Sequence, residues 1–215
     1  MSWVPLESDP DSFTKYARSL GCPDNFEFIE VFTFDDLSMI EKAIAVVLLY
    51  PLSDRYGHEE LIENYAEKNI FFMKQTVSNA CGSIAIVHAL ANTRNETKIE
   101  IDSVLGEFLK KTEGKSIEEK SKIIESGISD LHDQTSKKGQ TTAPDPDEKT
   151  DLHFISLCKI GDQVVKLDGR EKGPIFIADA TSQLDFVKNS IVYIKSLIDK
   201  NPGNINFTAL ALVPN

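Results

Sequence analysis

The chain has no apolar run long enough to cross a bilayer. Its longest, Ala43–Tyr50, is eight residues, against roughly 20 for a membrane-spanning helix. The first residues, Met1-Ser2-Trp3-Val4-Pro5, carry neither the basic nor the apolar region of a secretory signal, so none is expected. Cysteine is scarce: Cys22, Cys81 and Cys158, an odd number with no CxxC pair. That usage predicts free thiols in a reducing compartment, cytoplasmic or nuclear. His58-Glu59-Glu60 has no second histidine four positions on, and GxxxxGK[ST], GxGxxG and GxSxG are all missing. Zinc, phosphate-cradle, dinucleotide and serine-hydrolase readings therefore have no support, and no metal or cofactor is expected.

Positive charge is also in short supply. The net charge is −11. Residues 1–70 hold 14 acidic and 5 basic side chains, residues 71–150 hold 13 and 11, and residues 151–215 hold 7 and 7. An acidic first third argues against nucleic acid, whose phosphates need Lys and Arg. It suits a basic partner drawn in by long-range attraction; it could equally serve solubility alone.

What the sequence does have is enough apolar material for a core. At 215 residues and 41% hydrophobic, it is expected to form a single domain over 1–215. Asp9 caps a first helix, with Pro10 at its first position and Gly21 past its end. Phe26–Phe34 reads as a strand. Ala43–Tyr50, closed by Pro51, reads as a strand buried on both faces. Glu59–Lys68 reads as a helix. Ser78 or Asn79 would cap a core helix that is small or apolar on all sides through Ala91. Helices near Ile101–Lys111 and Ser116–Ser126 follow. His132–Asp151 then has one hydrophobic residue, Ala143, in 20 positions, the composition of a functional loop or a disordered segment. Leu152–Lys159 and Gln163–Asp168 form a hairpin around Gly161-Asp162. Gln183–Lys200 is a helix with Leu184, Val187, Ile191, Ile194 and Ile198 on one side. Ile205–Val213 is a last strand.

Cys81 falls in the first turn of the core helix, where free N–H groups and the positive dipole end favour a thiolate. It is either a nucleophile or a buried structural cysteine. Cys22 and Cys158 read as the latter. A thiolate needs a histidine. His88 lies seven residues along the same helix, roughly 10 Å away along its axis and out of reach. His58 and His132 sit in polar surroundings. His153 opens a strand, and Asp168 ends the partner strand nearly opposite it. An acid there could orient an imidazole, although an ordinary strand-end histidine and turn aspartate would look the same. Gln75, six residues before Cys81, could donate to an oxyanion beside the Cys81 N–H, or be a plain loop residue.

Four blocks resemble a known family: Trp3-Val4-Pro5-Leu6-Glu7; Phe72-Met73-Lys74-Gln75-Thr76-Val77-Ser78-Asn79-Ala80-Cys81-Gly82; Asp151-Leu152-His153-Phe154-Ile155; and Leu167-Asp168-Gly169-Arg170. Together, in this order, they resemble the small single-domain members of the papain-like ubiquitin C-terminal hydrolases. The resemblance implies an α/β fold of the α+β type: a central antiparallel sheet flanked by helices, with a knotted backbone and a crossover loop at 132–151. It implies Cys81 as nucleophile, His153 as base and acid, Asp168 as its orienting partner and Gln75 in the oxyanion hole. The implied activity is thiol-dependent cleavage at the C-terminal glycine of ubiquitin, releasing small or unfolded adducts. Ubiquitin contacts are implied at Pro5, Leu6, Glu7, Ser8, Asp9 and Pro10, and at Ser136, Lys137, Lys138, Gly139, Gln140, Thr141, Thr142 and Ala143. Ubiquitin's basic tail suits the acidic first third. A ubiquitin-like modifier as substrate, or a low-turnover ubiquitin-binding protein, are the competing readings. The chain stops after its last predicted strand and is expected to be a free-standing monomer, with no nucleic acid or membrane partner.

Overall fold

The computed structural model describes residues 3–52, 60–65, 67–127 and 151–215. The first helix, α1, runs Pro10–Leu20. The Asp9 carboxylate accepts the Ser12 N–H at 2.8 Å, and Gly21 ends the helix in the left-handed region at φ 111°. That conformation is one that glycine adopts without a Cβ penalty. Phe13, Tyr16, Ala17 and Leu20 face the core.

Six strands form one antiparallel sheet in the order β1-β6-β2-β3-β4-β5. They are β1 Phe26–Glu30, β2 Ala45–Pro51, β3 Leu152–Ile160, β4 Gln163–Leu167, β5 Ile175–Asp179 and β6 Thr208–Pro214. β2 lies between β3 and β6, which explains its unbroken apolar run. Ala45 and Val47 face one core, Val46 and Leu48 the other. The first core is closed by α1, by α2 (Cys81–Asn92) and by α4 (Val104–Thr112). The second is closed by α6, Gln183–Asp199, through Phe186, Val187, Ile191, Ile194 and Leu197. A short α3, Arg94–Thr97, and α5, Ile117–Gly127, complete the helices among the described residues.

Several expectations need correction. No helix forms in the described part of 59–68. Leu61 instead bridges to Ile175, and Asn64 and Asn69 take left-handed backbone at φ 52° and 56°, which a right-handed helix cannot contain. The Phe26–Phe34 strand stops at Glu30, with Val31 N–H making a last bond to the Ala209 carbonyl. The last strand begins at Thr208, leaving Ile205 91% exposed. Leu184 is exposed rather than on the buried side of α6. β5 had no counterpart in the sequence reading. His58, His132, the loop from 132 to 150 and the contacts expected at Ser136–Ala143 lie outside the described residues. The knotted backbone implied by the resemblance turns on the path of those same residues, so that expectation also lies outside the described residues.

The hairpin is as expected. Ile160 pairs with Gln163 across Gly161 at φ 58°, a backbone suited to a two-residue hairpin turn. In that register Ser156 faces Leu167. His153 and Asp168 thus reach the same end of the sheet, one diagonal step apart. Ser156 also donates a hydrogen bond to the Ala85 carbonyl. This tie across the core sets the height of α2 against β3.

Candidate active site

Cys81 is the first residue of α2, and neither Ser78 nor Asn79 caps that helix. Asn79 is held left-handed at φ 61°, whereas a cap residue needs extended backbone. The Ser78 carbonyl is engaged by the Trp3 N–H at 3.0 Å. Ala80 is the residue at the cap position, and it has no side-chain acceptor. No side chain at the cap position therefore competes for the first-turn N–H groups of α2.

Burial pushes the Cys81 thiol up. A hydrogen bond and positive charge from His153, the Phe154 backbone N–H and the Arg170 charge pull it down further, and the net direction is downward. Those influences converge because the first turn of α2 packs on the first residues of β3.

His153 is fully buried on β3, opposite Tyr50 of β2, whose ring meets the imidazole edge-on at 6.1 Å. Its Nε2 lies 2.7 Å from Asp168 Oδ1. Nδ1 closes no hydrogen bond of ordinary geometry, yet the ring is near enough to the thiol to act on it strongly. Burial pushes His153 down, but hydrogen bonds and charge from Asp168 and Cys81 outweigh it and raise the pKa to about 9. Asp168 Oδ1 also accepts the Arg170 N–H at 2.8 Å. Burial raises this carboxyl, and the His153 hydrogen bond and charge, with Arg170 N–H and Lys166, hold it below the usual carboxylate range. A thiol drawn down, an imidazole drawn up and a carboxylate held ionised favour a thiolate–imidazolium pair.

Gln75 stands beside this set. Its N–H donates to the Gly169 carbonyl at 2.8 Å, and its Nε2 donates to the Val77 carbonyl at 3.0 Å. Its Oε1 is buried without a partner among the described residues. One amide hydrogen is therefore committed to fixing the side chain and one remains for a ligand. Gly169 is needed for this closeness: a Cβ there would stand 3.0 Å from both Gln75 Cβ and N. Of the N-terminal segment, Leu6 is turned into the core over Gly82, where a Cβ would meet it at 3.1 Å. Pro5, Glu7, Ser8, Asp9 and Pro10 are partly exposed.

The structure thus brings together Cys81, His153, Asp168 and Gln75, and leaves His88 inside the core. The Phe154 N–H and Tyr50 were not singled out from the sequence. A backbone donor has no residue signature, and Tyr50 enters only through strand pairing. Cys22 and Cys158 are buried and unpaired. Burial pushes Cys22 up to about 11 and Cys158 higher still, so both stay protonated.

The chain is similar to known proteins over nearly its whole length. The family described as ubiquitin carboxyl-terminal hydrolase, family 1, matches residues 3–199. Ubiquitin carboxyl-terminal hydrolase 3 of Arabidopsis thaliana is 38% identical, with 98% of this chain and 93% of that protein aligned. The human isozyme L1 is 30% identical, with 99% and 98% aligned. Among solved structures, the Trichinella spiralis UCH37 catalytic domain bound to ubiquitin vinyl methyl ester superposes with a TM-score of 0.85 at 21% identity, covering 100% of this chain and 97% of that one. With the family matched over nearly its whole length, the chain belongs to the ubiquitin carboxyl-terminal hydrolase family, as a cysteine-type hydrolase.

Proposed function

We propose that the chain cleaves amide, ester or peptide bonds at the C-terminal glycine of ubiquitin through a Cys81 thioester. The observation that carries the assignment of roles is the 2.7 Å contact between buried His153 and Asp168 beside a thiol at a helix start. The Cys81 thiolate attacks the glycine carbonyl carbon. The oxygen gains negative charge and takes hydrogen bonds from the Cys81 N–H and the free Gln75 amide hydrogen. His153 gives its proton to the leaving nitrogen or oxygen, and the C–N or C–O bond breaks. The thioester remains on Cys81. His153, now neutral, takes a proton from water, whose oxygen attacks the thioester; the thiolate leaves and the imidazolium re-forms. Asp168 holds the ring in place throughout and stabilises its positive state. Partly exposed Pro5 and Glu7–Pro10, beside the first turn of α2, are proposed to meet the substrate.

Cys81→Ala should abolish turnover of a ubiquitin C-terminal fluorogenic amide yet keep ubiquitin binding, since the proposed contacts at Pro5 and Glu7–Pro10 are untouched. Retained turnover in that variant sinks the assignment. The resting His153 Nδ1 lacks a hydrogen bond of ordinary geometry, which also favours a second reading, a ubiquitin binder that turns over slowly. A pre-steady-state burst followed by steady turnover supports the hydrolase; binding without release supports the binder.

A further inference from the structure

The segment Phe71–Gln75 has no strand partner, although it carries Gln75 into the site. Side chains hold the backbone at Phe71, Met73 and Lys74 instead. The Phe71 N–H donates to Asn92 Oδ1 at 2.8 Å, and the Asn92 amide donates back to the Phe71 carbonyl at 2.9 Å. The Met73 N–H donates to His88 Nε2 at 3.2 Å. The Lys74 N–H donates to Ser121 Oγ at 3.0 Å. His88 and Asn92 lie four residues apart on α2, the helix that begins with Cys81, so they share one face.

His88 does more than fill space. Its ring is fully buried and stacks on Phe72 with centroids 5.2 Å apart and planes 13° apart. Phe71 meets its edge at 6.4 Å. Because Nε2 accepts a hydrogen bond from the Met73 N–H, the ring must be neutral with its own hydrogen on Nδ1. Burial keeps it so, pushing its pKa down to about 4 against the opposing pull of the Asp168 charge and the Met73 and Leu167 backbones. Met73 stands two residues before Gln75, and Leu167 directly precedes Asp168. One imidazole on the nucleophile's helix therefore borders both chains that bring in the other site residues.

We propose that His88 is a positioning residue for oxyanion stabilisation: through the Met73 N–H and the Phe72 ring it fixes the Phe71–Gln75 segment, and so the Gln75 amide, relative to Cys81. This rests on the reading of Gln75 as an oxyanion donor. A packing residue would act on all properties of the site together. A positioning residue for Gln75 should act on the step that builds negative charge on oxygen and on little else.

The test is a mutant cycle with two chemistries. Hydrolysis of a ubiquitin fluorogenic amide passes through an oxyanion, while alkylation of Cys81 by iodoacetamide does not. His88→Leu should lower kcat by roughly 10–10²-fold, below the 10²–10³-fold expected for loss of the donor itself, and leave KM within about twofold. Its alkylation rate should stay near wild type. In a Gln75→Ala background, His88→Leu should add less than about threefold, since the group it positions has gone. His88→Gln, whose Oε1 can stand where Nε2 stood, should restore most of kcat. His88→Asn, whose shorter amide falls near Nδ1, should not. The Gln–Asn contrast keeps the test open if His88→Leu fails to fold. Full additivity in the double variant, parallel loss of alkylation and hydrolysis, or equal rates for the Gln and Asn variants would each reduce His88 to a core residue. A silent Gln75→Ala beside an inactive Cys81→Ala would overturn this inference and the Gln75 role alike, while leaving Cys81, His153 and Asp168 in theirs.

Discussion

At the scale of single residues, the site is a contest between burial and partners, and the partners win in opposite directions. Burial alone would keep Cys81 protonated and His153 neutral, but each supplies what the other lacks. The expected consequence is measurable. The pH midpoint for Cys81 alkylation by a small reagent should lie below that of an ordinary thiol. His153→Ala removes the largest downward influences on Cys81 and leaves burial, so its midpoint should move above the ordinary value. A midpoint unchanged by that substitution would show that the helix start and Arg170 suffice without the imidazole. The same contest has a third outcome at His88, where burial prevails and the ring stays neutral. Two histidines thus hold different charge states at neutral pH, His153 positive and His88 neutral, because only one has a carboxylate within 3 Å.

At the scale of elements, α2 is the piece on which the site is assembled. Its uncapped first turn holds the nucleophile, its middle is tied to β3 by Ser156, and its last turns hold the Phe71–Gln75 segment. Its close fit to the N-terminal segment depends on Gly82. A Cβ there would meet Leu6 Cβ and Cδ1 at 3.1 Å and Phe154 at 3.4 Å, so Leu6 would have to give by a few tenths of an ångström. Gly82→Ala should lower stability by about 1–3 kcal/mol and raise KM for ubiquitin substrates through displacement of residues 5–10. Thermal unfolding and steady-state kinetics together check this, and an unchanged KM would mean that the segment takes no part in docking. Element boundaries were most legible where local chemistry sets them. Asp9, Pro10 and Gly21 mark α1 within a few residues of chain, and Gly161 marks the β3–β4 turn. They were least legible at 59–68, where polar residues with helical spacing are overruled by Leu61 pairing to the sheet and by left-handed Asn64.

At the scale of the whole molecule, the charge states of the buried histidines make stability depend on pH. His88 has a folded pKa of about 4 against 6.5 unfolded. Its contribution is present above pH 6.5 and is lost as pH falls towards 4, because the unfolded chain then takes up a proton that the folded chain refuses. His153 works the other way: raised to about 9, it contributes below pH 6.5 and loses that contribution as pH rises through 9. Urea unfolding of the wild type should therefore show a loss at pH 5 relative to pH 7.5 that is larger, by about 2 kcal/mol, than the loss for His88→Gln, in which His153 is retained. Equal losses would mean that His88 is protonated in the fold. A second expectation comes from chain length alone. The 20 residues of 132–151 span about 68 Å extended and could ring an opening of at most roughly 20 Å. An extended peptide joined to ubiquitin should pass and a stably folded fusion should not. Comparing cleavage of the two checks this, and equal rates defeat it.

The sequence by itself determined the pieces whose causes are local: the start of α1, the apolar strand β2, the helix that opens at Cys81, and the hairpin that carries His153 and Asp168 to one end of the sheet. The family resemblance added the roles. Only the tertiary structure decided which pieces meet. Cys81 and His153 are 72 positions apart, and nothing in the spacing says that α2 packs on β3; the sheet order and the Ser156–Ala85 tie do. Nor could spacing assign charge to a histidine. His88 and His153 differ in what is buried beside them, and the cost of an ion in a low-dielectric core falls or stands according to whether a carboxylate is within reach. That is a property of three-dimensional neighbours, fixed when the core closes.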